Sequence, residues 1–92
     1  MNKRHIHESH PDIVKRLKRV AGHLNGIVSM LETGRPCLEL AQQLHAVEKA
    51  ISNAKKTLIH DHIDHCLDES VNGGNAGLHD SLDEFKQITK YL

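Results

Sequence analysis

From Ile13 to Leu31 the apolar residues fall three and four positions apart: Ile13, Val14, Leu17, Val20, Ala21, Leu24, Ile27, Val28 and Leu31. That spacing draws an apolar stripe along an α-helix. Gly22 and Gly26 weaken helicity, but small residues four apart allow a neighbouring backbone to approach. In "TGRP", Gly34 suits a C-terminal cap and Pro36 a first helical turn, so a second helix follows a tight link. Its seam, Leu40, Leu44, Val47, Ile51, Ala54 and Leu58, has alternating spacings of four and three. Nothing interrupts it before "NGGNAG" at 72–77. Ser81 and Glu84 have capping-box spacing, which predicts a short third helix with Leu82, Phe85, Ile88 and Leu92 on one face.

The pattern therefore predicts an all-α chain of two long antiparallel helices plus a short third, in a single domain over 12–92 behind an N-terminal arm at 1–11. The first helix spans roughly 33 Å and the second roughly 50 Å, so one cannot cover the other. A second copy completing an antiparallel four-helix-bundle dimer resolves the mismatch.

Composition agrees. The 92 residues include no Trp, one Tyr and one Phe, against many Leu, Ile, Val and Ala. No apolar run is long enough for a membrane span and the polar start lacks a signal peptide's apolar region, so a cytoplasmic protein with reduced Cys37 and Cys66 is expected. The net charge of zero conceals a segregation. Residues 1–35 hold seven basic and three acidic side chains, and residues 61–92 two basic and seven acidic. The basic half suits a polyanion, or is an ordinary solvated surface.

The chemistry concentrates in "HDHIDHC", residues 60–66. His62 and Cys66 lie four apart, on one helix face and close enough to share a metal ion. Cys37 precedes His62 by 25 positions, roughly 38 Å of helical rise, so one chain cannot bring them together. In an antiparallel dimer, Cys37 of one subunit meets His62 and Cys66 of the other. The alternative makes Cys37 a small hydrophobe and the histidines a solvated face.

These residues carry a resemblance. "RLKRVAGHLNGIVSMLETGRPC" through "HDHIDHC" strongly resembles the copper-sensitive operon repressor family, closely over about residues 12–71 and more loosely beyond. Its mark is a Cys opening helix two, a His 25 positions on, and a Cys or His four further, as in Cys37, His62 and Cys66. The resemblance implies an all-helical dimer pairing into a homotetramer, which binds operator DNA without effector and releases it when metal binds across the interface. It also implies a transcriptional repressor that is not an enzyme and has no small-molecule substrate or membrane partner.

Within the family, nickel and cobalt sensors have a histidine ligand 32 positions before the helix-two Cys, which here is His5. Copper sensors generally lack it and often place a Tyr where this chain has Pro36, although Glu84 matches their third-helix glutamate. Persulfide sensors carry Cys at the His62 position, and formaldehyde sensors an N-terminal Pro that Asn2 does not match. The resemblance thus implies His5, Cys37, His62 and Cys66 as ligands. Two thiolates and two imidazoles suit Ni(II) or Co(II), with Zn(II) as an alternative, whereas a trigonal Cys–His–Cys subset suits Cu(I). His7 and His10 share the arm with His5 and can substitute for it. His60 and His65 flank the site as auxiliary or outer groups, and Glu84 is a further auxiliary group. His23 and His45 read as structural or surface residues.

No helix-turn-helix is legible. Arg16 matches a basic residue of the family's DNA-binding face, Lys15, Lys18 and Arg19 adjoin it, and Lys49, Lys55 and Lys56 extend it, while a familiar DNA-contacting arginine of copper sensors falls at Asn53. Drawing His5 onto the metal would pull helix one and displace Arg16, Lys18 and Arg19. Two other classes compete. A Cys nucleophile with a His base finds no supporting motif, and a metal-buffering protein would bind metal but no specific DNA.

Overall fold

The computed structural model describes residues 9–72 and 82–92, and the side chains of all of these except 66–72. Two long helices, α1 (His10–Glu32) and α2 (Cys37–Asn72), are followed by a short helix α3 over 82–88 and a 3-10 turn, Thr89–Tyr91. Among the described residues there is no strand, and no helix is long and apolar enough to cross a membrane.

Helix α1 starts one residue before Pro11. Proline in a first turn forfeits no intrahelical hydrogen bond, and Asp12 beside it complements the positive end of the helix dipole. Asp12 also accepts from Arg16 Nε at 2.8 Å, the favourable acid-before-base order for an i,i+4 pair. The C-terminus closes as a Schellman motif: Gly34 N–H donates to Leu31 O at 3.2 Å and Arg35 N–H to Met30 O at 3.0 Å. Gly34 takes φ +76° to allow it. A side chain there would cost about 1–2 kcal/mol, because a Cβ crowds the carbonyl in the left-handed region. Pro36 stands just outside α2 and its carbonyl accepts the first helical bond, from Leu40 N–H at 3.1 Å. Arg35 pairs with Glu39 across the same corner.

The chain divides into two compact units, Pro11–Ala54 and the described residues on either side of it. The first unit is a helical hairpin. Buried positions step by seven on both helices: Ile13, Val20 and Ile27 on α1, Leu40, Val47 and Ala54 on α2. Val20, Ile27, Leu40 and Val47 form one cluster with Met30 against it. Rising numbers on one helix pair with falling numbers on the other, which makes the hairpin antiparallel. Ile27 is the most enclosed, 2% exposed. Burying such a side chain contributes about 2 kcal/mol.

Three details of the packing refine the pattern. The uncovered part of the helix-two seam is a side, not only an end: Leu40, Val47 and Ala54 are buried while Leu44, Ile51 and Leu58 remain exposed. A single neighbouring helix touches one line of a heptad seam and leaves the other open. Val14, Leu17, Leu24, Val28 and Leu31 form a comparable exposed row on α1. Gly22 and Gly26 face open space within the chain, since nothing lies within 4 Å of a Cβ placed on either. In α3 the expected apolar face is only partly used. Phe85 and Ile88 are half-buried, whereas Leu82 at its start and Leu92, past the 3-10 turn, stay exposed.

Candidate metal centre and basic face

In the unit that contains the end of α2, His62 Nε2 lies 3.1 Å from Glu84 Oε2 on α3. The His62 side chain is 16% exposed, while Glu84 reaches outward. A carboxylate only accepts, so a neutral imidazole in this contact carries its proton on Nε2 and keeps its lone pair on Nδ1. Fixing the tautomer of a metal-binding histidine is the usual work of such a carboxylate. The two residues line a cleft of about 280 Å³ with Gln87, Ile88 and Tyr91. Glu84, expected as an auxiliary group, thus stands directly on the expected ligand.

One residue before His62, Asp61 accepts a 2.5 Å hydrogen bond from Ser9 Oγ. The sequence offers no hint of this pair, because the residues are 52 positions apart. It places the residue just ahead of α1 beside the stretch that carries His62. His60 is exposed and His65 half-buried. His5 and His7 lie outside the described residues, as does the side chain of Cys66, although its backbone continues α2. Cys37, the first residue of α2, is an exposed free thiol. Among the described residues no three His, Cys, Asp or Glu groups gather as a metal site. The donors themselves fit a borderline metal: an accessible thiol and an enclosed imidazole with a carboxylate behind it.

The basic residues of the hairpin, Lys15, Arg16, Lys18, Arg19 and Lys49, are all exposed, as are Lys55 and Lys56 further along α2. Two of them share a concavity. Arg16 and Arg19 line a cleft of about 240 Å³ with Val20, His23 and, from α2, Ala50. His23 Nε2 meets Gln43 Oε1 at 2.6 Å, which ties the ring to α2. Placing Arg16, Arg19 and His23 on one face was possible from their spacing of three and four. Gln43 was not, because the pairing depends on hairpin register. His45 is exposed and lies 3.8 Å from Glu48, a contact of little energetic weight.

Comparison with known proteins bears on these features together. Residues 9–91 match the profile of a family described as metal-sensitive transcriptional repressor. The copper-sensing transcriptional repressor CsoR of Bacillus subtilis (strain 168) is 36% identical over 80 residues, spanning 85% of this chain and 79% of that protein. The copper-sensing repressor CsoR of Mycobacterium tuberculosis (strain ATCC 25618 / H37Rv) is 35% identical over 75 residues, 79% of this chain and 63% of its own length. Among solved structures, the nickel-responsive transcriptional regulator InrS superposes with a TM-score of 0.82 at 31% identity, covering 98% of this chain and 100% of that one.

Proposed function

The chain belongs to the metal-sensitive transcriptional repressor family, and from that premise we propose that it is a cytoplasmic nickel- or cobalt-responsive repressor that leaves its operator when the metal binds. It is not an enzyme. The observation that carries the reading is His62: an enclosed imidazole whose Nε2 is held at 3.1 Å by Glu84. That arrangement prepares the ring for coordination rather than for solvent.

The proposed ligands are Cys37 of one subunit and His62 and Cys66 of the partner subunit, with His5 as the fourth. Cys37 opens α2 and His62 lies 25 positions further along it, so two chains are needed. The exposed rows Leu44 and Ile51 on α2 and Val14, Leu17, Leu24, Val28 and Leu31 on α1 give a second copy an apolar surface to cover. Two hairpins closed in this way form the four-helix-bundle dimer, and pairing of dimers forms the tetramer. Bound Ni(II) or Co(II) supplies directed bonds that hold thiolates and imidazoles of two chains at fixed distances.

The ligand residues are tied to the DNA-binding residues through the arm. Ser9 donates to Asp61, so the residue just ahead of α1 is anchored beside the stretch that carries His62. Recruiting His5 reorients this segment and with it the start of α1. Lys15, Arg16, Lys18 and Arg19, all exposed along α1, then lose their register with operator phosphates, and Lys49, Lys55 and Lys56 lose their supporting contacts. Moving the DNA-competent population from 99:1 to 1:99 takes about 5.5 kcal/mol of differential metal affinity.

Support for nickel comes from His5 and from the likeness to the nickel-responsive InrS over nearly the whole chain. A second reading, Cu(I) sensing, draws on the copper-sensing relatives and needs only Cys37, His62 and Cys66. The test is a titration of Ni(II), Co(II), Cu(I) and Zn(II) into apo-protein bound to a duplex that it has selected from a random-sequence pool. Release by Ni(II) or Co(II) at the lowest free concentration supports the proposal. Release by Cu(I) alone transfers it to the copper reading, and metal binding without selective DNA binding makes the protein a metal buffer.

A further inference from the structure

The cleft between the two helices of the hairpin brings together three side chains that a basic surface does not require to meet. Arg16, Arg19 and His23 line it from α1, Ala50 from α2, and buried Val20 backs it. Two guanidiniums and an imidazole around a concavity of about 240 Å³ offer many donors. Arg19 makes no ion pair among the described residues. Asp12 engages Arg16 only through Nε. Its two terminal amino groups are the ones suited to an incoming oxyanion.

His23 differs from the lysines nearby in being half-buried and fixed. Gln43 holds its Nε2 at 2.6 Å. The ring is therefore positioned before any ligand arrives, and its other nitrogen, Nδ1, donates when the imidazole is protonated. The flexible stems of Lys15 and Lys18 carry no such fixation and take no part in the cleft.

We propose that Arg16, Arg19 and His23 form a seat for one phosphate-type oxyanion, with Gln43 as the positioning residue for His23. This rests on the reading of the α1 basic face as the DNA surface, and it narrows that face to a discrete subsite. Its occupant is a backbone phosphate of the duplex. Anchoring on both helices explains why a change in hairpin geometry would be felt at the DNA, since the donors come from α1 and the residue that orders His23 from α2.

The experiment is a titration of the apo-protein with inorganic phosphate and, separately, with random-sequence duplex DNA, following the histidine ring resonances by NMR. Both probes should move the His23 signals and leave those of exposed His45 in place. His23→Ala should weaken duplex binding roughly tenfold, the worth of one charge-assisted hydrogen bond, with helix content unchanged. His23→Gln, which keeps a donor, should recover part of that loss, and Gln43→Leu should weaken binding while His23 is still present. Movement with DNA but not with phosphate still supports the seat and assigns it to the duplex backbone. Tight duplex binding with His23 unmoved, and full affinity in His23→Ala, overturns the seat while leaving the repressor reading standing. If the chain binds no duplex, the repressor reading fails and the phosphate titration alone decides the seat, a shift supporting it and no shift overturning it.

Discussion

Ser9 and Asp61 are joined by a 2.5 Å hydrogen bond across 52 positions of sequence, and Asp61 is the neighbour of the proposed ligand His62. This bond fixes the residue at which the chain enters α1. Ser9→Ala should therefore loosen Ni(II) binding roughly tenfold, the worth of a hydrogen bond to a carboxylate, because His5 is delivered less often. Cu(I) affinity, which does not use the arm, should stay within error. Isothermal titration with both metals makes the comparison, and equal losses for the two would show that Ser9 supports α2 rather than the arm.

In the proposed site the choice of metal turns on His5. Three ligands suffice for trigonal Cu(I), whereas Ni(II) in a square plane needs a fourth. Replacing His5, His7 and His10 together by Ala should abolish Ni(II)-dependent DNA release and leave Cu(I) binding nearly unchanged. An intact nickel response in the triple variant ends the nickel/cobalt assignment. Because every ligand must shed its proton, Ni(II) affinity of the parent protein should also fall as the solution is acidified.

Sharing of the site between subunits can be tested by complementation. Neither Cys37→Ala nor His62→Ala alone should bind metal tightly. Mixed after unfolding and refolding, the two should regain one intact site per heterodimer, seen as thiolate-to-metal absorption with Co(II). No recovery in the mixture would mean that each chain builds its own site.

The two lines of the helix-two seam should respond differently to substitution. Ile27→Ala, opposite the buried line, removes an enclosed side chain and should cost about 3 kcal/mol in urea unfolding at a fixed protein concentration. Ile51→Glu, on the exposed line, should leave the hairpin helical by circular dichroism and shift sedimentation toward the monomer. A dimer that survives Ile51→Glu would remove this face from the interface.

Much of the hairpin was legible in the sequence because its signals are local. Heptad spacing marks helices, and "TGRP" contains the glycine that a Schellman cap requires and the proline that a following helix tolerates. The observed ends, His10–Glu32 and Cys37–Asn72, fall within a residue or two of that reading. The spacing of Cys37, His62 and Cys66 marks thiolate and imidazole donors of the kind that hold a metal, and their gathering around one ion remains the proposal made above.

What folding alone decided is register. Leu40 and Leu44 are the same side chain to any pattern, yet one is 8% exposed and the other 47%, because the turn at Gly34 sets which line of α2 faces α1. The same rotation brings His23 to Gln43, and the packing of α3 on the end of α2 brings Glu84 to His62. Residue spacing encodes a face of one helix. The angle at which two helices meet comes from the sum of all their buried contacts, so partners drawn from different helices become visible only once those contacts are made.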